Sequence, residues 1–213
     1  MSNSEKICKI LKIEYENAHC ALNFKNGFEL LILARLSAQC TDSRVNKVSI
    51  DLFKKFPTIH SFAIADIEDI ENIIKPCGMY KIKSKNLKDM CVILEKKFDS
   101  KIPYGMENLQ SLPGIGRKTA NLIMSEIFGQ PSIIVDTHVS RVTRKLGLHN
   151  EKNPLKIEMI LQNLINKSDW SIFSHCVVSH GRNICKARSP LCSKCCIKQY
   201  CYFFKENYGK KYN

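Results

Sequence analysis

"SLPGIGRKTANLIM", Ser111–Met124, places a Pro-Gly-Ile-Gly turn between the apolar-periodic segments "MENLQS" and "TANLIMSEIF". That arrangement predicts two helices joined by a tight hairpin. Gly114 and Gly116 permit positive φ and carry no side chain, so the N–H groups opening the second helix can approach a phosphate oxygen. An ordinary turn between helices would use the same glycines. Lys118 is what separates the two readings. It lies in the first turn of the second helix, where the positive end of the helix dipole disfavours a cation and an acidic residue would stabilise. Helix stability does not explain it.

Outward from the hairpin, helical periodicity covers most of the chain. "FELLILARLSAQC" (28–40) is apolar nearly all round and predicts a buried helix. "SRVNKVSIDLFKKF" (43–56) sets Val45, Val48, Leu52 and Phe56 on one face and stops at Pro57. Asp66 is placed to cap "IEDIENIIK", whose Ile67, Ile70, Ile73 and Ile74 form a stripe ending at "PCG", and "KSKNLKDMCVILEKKF" predicts the helix after it. Asn153 and Pro154 form an N-cap and N1 pair ahead of "LKIEMILQNLI", and Asp169 is placed to cap "WSIFSHCVVSHG". Only "PSIIV" (131–135) suggests a strand, and it is too short to seed a sheet. The expected class is all-α, with no repeat or low-complexity linker to mark a boundary.

A chain of 213 residues with 44% hydrophobic content can build one sizeable core or two small ones. No stretch approaches the roughly 18 apolar residues of a membrane span, and "MSNSEKICKI" lacks the apolar centre of a signal peptide. The expectation is a cytoplasmic protein with no membrane partner. A net charge of +13 suits a polyanion. The cations are 26 Lys against 7 Arg, however, a bias that coding composition alone can produce, so charge does not by itself identify nucleic acid.

Eleven cysteines fall into two groups. Cys8, Cys20, Cys40, Cys77, Cys91 and Cys176 are scattered through apolar stretches and read as small buried hydrophobes. Cys185, Cys192, Cys195, Cys196 and Cys201 crowd into "CKARSPLCSKCCIKQYC". Without a secretion signal a disulfide framework is not expected, and four converging thiolates point to a metal centre, with Pro190 and Ser193 supplying turns. A tetrahedral zinc and a [4Fe-4S] cluster both take four thiolates, so spacing does not choose between them. Cys195 and Cys196 are neighbours whose side chains diverge, so only one of them is expected to ligate.

A lysine that attacks carbon must be neutral at that moment. Bringing its pKa from about 10.4 to about 7–8 takes about 4 kcal/mol of bias against the ammonium. A helix terminus supplies at most about 2 kcal/mol, so the rest must come from desolvation and from cationic neighbours such as Arg117. The alternative is a nearby base. "IIVDTH" presents Asp136 before the helix "THVSRVTRKL", where one carboxylate oxygen can cap the helix while the other faces a cavity.

"LPGIGRKTAN", then "VDTH" with Asp136 eighteen residues after Lys118, then Cys-x6-Cys-x2-Cys-x5-Cys at 185, 192, 195 and 201 together resemble endonuclease III of the helix-hairpin-helix DNA glycosylase superfamily. The resemblance runs from "FELLILARLSAQCTD" to the last cysteine. It implies Cys195 rather than Cys196 as ligand and a [4Fe-4S] cluster rather than zinc. It also implies two all-α domains with DNA in the cleft between them: a six-helix domain over 23–132, and a cluster domain of 1–22 plus 133–213.

By that resemblance the protein is a monomeric, bifunctional glycosylase and AP lyase for oxidised pyrimidines in double-stranded DNA. The damaged nucleotide is flipped from the stack, and Lys118 attacks C1′ and displaces the base. The resulting Schiff base permits β-elimination on the 3′ side, with Asp136 as proton acceptor or stabiliser of positive charge on the sugar. Gln39, from "LSAQ", fills the gap left by the flipped nucleotide, and Met79 takes the position of an apolar wedge where leucine is more familiar. Further DNA contacts are implied for Gly114, Ile115, Gly116 and Arg117 in the hairpin and for Thr137 and His138 in "VDTH". In the first cysteine loop Lys186 and Arg188 are the phosphate candidates, since Ser189 and Leu191 stand where cations are usual. A related adenine glycosylase lacks the lysine after the hairpin and carries a further C-terminal domain. A metal-stapled DNA-binding protein without catalysis would need no lysine there either.

Overall fold

The computed structural model describes residues 1–208; residues 209–213, which the expected cluster domain includes, lie outside the described residues. Every regular element among those described is helical, and the chain divides into two compact units: Cys20–Gln130, and Met1–His19 with the chain from Pro131 on.

The continuous unit holds seven α-helices, α2 (Gly27–Leu36), α3 (Asp42–Lys55), α4 (Ile59–Ala63), α5 (Ile67–Ile74), α6 (Tyr80–Phe98), α7 (Met106–Gln110) and α8 (Arg117–Glu126), with a 3-10 turn at Lys75–Cys77. At its centre is α2, with Leu30, Leu31, Ile32, Leu33 and Leu36 fully buried, as its near-uniform apolar sequence requires. It ends four residues earlier than its apolar run. The Leu36 carbonyl is taken by the Lys83 ammonium at 2.8 Å, and Gln39 turns into the left-handed region at φ 54°. On α3 the stripe Val45, Val48, Leu52 and Phe56 is buried as expected. On α5 Ile70 and Ile74 are buried while Ile67 and Ile73 are half-buried. Asp66 occupies the N-cap position of α5 without making a side-chain cap bond.

The discontinuous unit packs α1 (Asn3–Glu14) against α11 (Trp170–Asn183), with α9 (Thr137–Leu146) on α11 and α12 (Tyr202–Tyr208) on α9. Ile7, Leu11, Val139, Val142, Ile157, Leu161, Phe173 and Val177 form its core, to which α10 (Pro154–Leu164) contributes. Asn153 caps α10 as expected, accepting from the Leu155 and Lys156 amides. Asp169 does not cap α11; its carboxylate accepts from Lys12 Nζ at 2.6 Å, a partner 157 residues away. "PSIIV" forms no strand. It runs extended, and its buried amides find serine hydroxyls on α11: Ser132 N donates to Ser171 Oγ at 3.2 Å and Ile134 N to Ser174 Oγ at 3.0 Å.

Candidate DNA-repair site

The hairpin is set by local turn chemistry. Ile115 N donates to Leu112 O at 3.1 Å across Pro113 and Gly114, and Gly114 sits at φ 76°. Proline followed by a glycine at positive φ is the signature of a type II turn. Gly114 is glycine for a second reason. A Cβ there would lie 2.2 Å from Arg35 Nε, 2.7 Å from Arg35 Cδ and 2.8 Å from the Asn86 amide. Gly116, at φ −96°, is exposed, and a Cβ added there would have nothing within 4 Å, so the chain itself does not require glycine at that position. The Ile115 side chain is buried and its N–H is used in the turn, so Ile115 builds the hairpin more than it faces outward.

Beneath the turn lies Arg35, a charge inside the apolar run of α2 that sequence periodicity passes over. It is 9% exposed, and burial lowers its pKa. With the Asn86 amide turned so that its oxygen faces the guanidinium, that oxygen accepts from Nε at 3.2 Å and from an Nη at 2.8 Å. Arg35 and Asn86 thus brace the hairpin from below. The one available signal in the sequence is an arginine where every neighbour is apolar.

From Gly116 the chain enters α8. Ala120 N is bonded to Gly116 O at 2.9 Å, so the amides ahead of it point out along the axis from the helix N-terminus. No acidic residue occupies that first turn; Arg117 and Lys118 do, and both are exposed. The desolvation expected for Lys118 is therefore not supplied by its own folded unit. In the same unit, Gln39 and Met79 are both exposed and both in the left-handed region, at φ 54° and 46°. Non-glycine residues adopt that conformation only when their surroundings impose it, and such strain concentrates at functional sites.

In the other unit, Asp136 caps α9 as expected, with Oδ1 accepting from Val139 N at 2.7 Å. Thr137 is exposed and His138 half-buried. His138 Nδ1 lies 3.2 Å from Arg141 Nη2, which also donates to Gly181 O at 2.9 Å and Cys185 O at 3.0 Å. Burial and the Arg141 and Arg182 charges lower the His138 pKa against the opposing pull of Asp136. Arg141, which no sequence motif singles out, ties α9 to the backbone of the first clustered cysteine.

Cys185, Cys192, Cys195 and Cys201 line one small cavity of about 20 Å3, walled by Val142, Leu146, Ile184, Phe203 and Phe204. Burial pushes the Cys195 thiol up to about 12 and also raises Cys185 and Cys201, each further raised by its fellow cysteines. His180 Nε2 lies 3.5 Å from Cys195 Sγ, and burial holds that imidazole down at about 4, hence neutral. Among the described residues no three His, Cys, Asp or Glu side chains are placed to hold a single metal ion, although the four cysteines line one cavity. The Cys196 thiol does not line this cavity and feels Glu14 instead. Lys186 and Arg188 are exposed on the first loop, where Ser189 adopts φ 51°. Of the six scattered cysteines, Cys8, Cys77, Cys91 and Cys176 are buried as expected, whereas Cys20 and Cys40 are half-buried because they lie in the segments flanking α2.

The model of the HhH-GPD superfamily of base excision DNA repair proteins matches residues 32–167. Endonuclease III of Synechocystis sp. is 41% identical over 197 residues, 92% of this chain and 90% of the relative. Two solved structures superpose with TM-score 0.91 at 40% identity. One, a non-covalent endonuclease III–DNA complex, is matched over 94% of both chains. The other, a trapped endonuclease III–DNA covalent intermediate, is matched over 97% of this chain and 99% of its own. With the hairpin, the exposed lysine and the cysteine-lined cavity in place, this extent of similarity establishes that the chain belongs to the endonuclease III family of the HhH-GPD superfamily.

Proposed function

We propose that the chain is a bifunctional DNA N-glycosylase and AP lyase of base excision repair, releasing oxidised pyrimidines from duplex DNA. The observation that carries this reading is Lys118: an exposed amine set against the helix dipole directly after a glycine hairpin, in a chain 40% identical to a protein trapped covalently on DNA. Gly114, Gly116 and the first amides of α8 hold a backbone phosphate, and the exposed Arg117, Lys186 and Arg188 add screened attraction. Gln39 and Met79 occupy the gap left when the damaged nucleotide leaves the stack.

Lys118 Nζ, as the neutral amine, attacks C1′; the bond from C1′ to the base breaks, and the base leaves with the bonding pair. Loss of a proton from nitrogen and opening of the sugar give the iminium, which acidifies C2′–H. Removal of that proton expels the 3′ phosphate. Lys118 is exposed in its own unit and is covered by the bound DNA, and Asp136 Oδ2 is the group left to take a proton or offset charge on the sugar while Oδ1 caps α9. Thr137 and His138 follow Asp136 at the same helix terminus and contact the same strand.

Cys185, Cys192, Cys195 and Cys201 fit a [4Fe-4S] cluster. The four cysteines line one largely apolar cavity, and burial raises the thiols of Cys185, Cys195 and Cys201, so a bound metal would be what takes them to thiolates. Such a cluster supplies iron–thiolate bonds that tie 185–201 into one piece. The domains proposed are 23–132 and 1–22 with 133–213; the division of the fold at Cys20 and Gln130 supports this. The enzyme acts as a monomer in the cytoplasm, with the DNA.

Borohydride trapping on duplex DNA with an abasic site tests the reading. The wild-type chain should form a covalent adduct and Lys118→Gln none; an undiminished adduct with Lys118→Gln would overturn the assignment.

A further inference from the structure

Lys83, on α6, is fully buried. Its ammonium donates to Leu36 O at 2.8 Å and to Cys77 O at 2.9 Å, and its backbone N–H donates to Met79 O at 3.0 Å. Leu36 ends α2, three residues before Gln39. Cys77 ends the 3-10 turn Lys75–Cys77, two residues before Met79. One buried cation therefore joins the two segments that each lead into an exposed, left-handed, non-glycine residue. The thiols of Cys40 and Cys77, one from each segment, both act electrostatically on the same ammonium.

The residue carries both a cost and a gain. A buried ammonium sacrifices hydration, and in return pairs two helix-end carbonyls that methionine, filling the same volume, would leave without partners. Burial lowers its pKa; the Cys40 and Cys77 thiols pull it back up in part, and the like charge of Arg35 adds a weaker push down. What the ammonium offers that methionine lacks is direction: three donors at fixed angles, two of them used to hold carbonyls from different segments.

We propose that Lys83 is a positioning residue that fixes Gln39 and Met79 relative to each other, so that the two side chains enter the base stack as one wedge when a nucleotide is flipped. This rests on the flipping step of the function proposed above. A flipped nucleotide leaves a gap about one base step, ~3.4 Å, thick in the stack. Two side chains that fill it together must be registered to well within that thickness. Misplacement by about 1 Å can lower a rate by about 100-fold. The αL backbones at 39 and 79 relax unless their segments are held, and Lys83 holds both.

The test uses the full-length holoprotein and a duplex with 2-aminopurine beside a single oxidised pyrimidine. Lys83→Met should reduce the 2-aminopurine flipping signal and the single-turnover base-release rate by about 10–100-fold. Affinity for undamaged duplex should stay within about twofold, because phosphate contacts do not depend on which nucleotide leaves the stack. A purely structural role would lower binding, rate and melting temperature together. In the Lys83→Met background, Gln39→Ala and Met79→Ala should add little further loss; losses that multiply would overturn the proposal. If Lys83→Met fails to fold, the wild-type background decides it. Gln39→Ala and Met79→Ala are surface changes, and their double variant should lose no more than the worse single one, whereas independent effects would overturn the proposal. Borohydride trapping of the wild type on abasic DNA reports separately on the function itself, while the 2-aminopurine signal reports flipping without an adduct.

Discussion

Gly114 and Gly116 lie two residues apart in one hairpin, and the structure assigns them opposite sensitivities. Gly114→Ala introduces a Cβ 2.2 Å from Arg35 Nε at φ 76°. The left-handed backbone costs about 1–2 kcal/mol for an L-residue. The clash adds about 1–3 kcal/mol of overpacking, because the atoms struck are the middle of a side chain held by Asn86 and not a free tip. A total of about 2–5 kcal/mol in a chain of this size corresponds to a melting temperature lowered by about 5–20 °C. Gly116→Ala meets nothing within 4 Å and keeps an ordinary extended φ. Alanine is a poorer N-cap than glycine by a few tenths of a kcal/mol or more, and its stiffer unfolded chain offsets that by about 0.4–1 kcal/mol, so stability should be unchanged within about 0.5 kcal/mol. The added methyl stands where the proposed phosphate approaches. Loss of a hydrogen bond to a charged oxygen, about 1.5–3 kcal/mol, should weaken DNA binding about 10–100-fold. Circular dichroism melts and fluorescence anisotropy with undamaged and abasic duplexes measure the two effects. Both duplexes should lose affinity alike, since phosphate contacts carry no sequence information. A Gly116→Ala variant that loses only lesion binding, or a Gly114→Ala variant that melts like wild type, would refute the reasoning.

Anaerobically purified protein should be yellow-brown and contain iron and sulfide; Cys196→Ser should keep the colour and Cys195→Ser lose it, read by visible absorbance and iron assay. Asp136→Asn still caps α9, so melting and DNA binding should persist, while base release from oxidised pyrimidines falls about 100-fold or more and abasic-strand cleavage falls less. Equal losses in both steps would assign Asp136 to activating Lys118. His149 is buried with Nδ1 accepting from Glu151 N at 3.1 Å and Nε2 at 2.8 Å from Thr143 Oγ1, and burial and Arg144 lower its pKa. The unfolded chain therefore binds a proton that the folded chain refuses, so this contribution is complete above about pH 6.5 and declines as pH falls below it. His149→Gln should flatten the melting profile between about pH 7 and pH 5; a slope identical to wild type would remove His149 as a cause.

What is legible in the sequence is what neighbours along the chain decide. The hairpin follows from Pro113 and Gly114, the α3 face from its period, and the caps at Asp136 and Asn153 from oxygens two or three residues from the amides they accept. The cysteine cavity is legible because its four thiols lie within seventeen residues. The departures from expectation have distant causes. Asp169 is drawn from its helix by Lys12, across 157 residues. The early end of α2 reflects Lys83 taking a carbonyl from 47 residues away. Arg35 is hidden by its apolar neighbours, since periodicity reports which face is buried and not what a buried charge is for.

The packing of α1 on α11 has a consequence for how the chain is made. On the ribosome, Cys20–Gln130 is complete once it has emerged and can close on contacts within itself. The N-terminal helix has no such option: Ile7 and Leu11 belong to a core whose other members extend to Cys201. At about 5–20 residues per second, α1 must wait about 10–40 s with an apolar face uncovered. Its fate in that interval depends on how well it stays helical alone, and Ser2 and Glu5 close a reciprocal capping box at its start. That box is the local means by which α1 keeps its shape until its distant partners arrive.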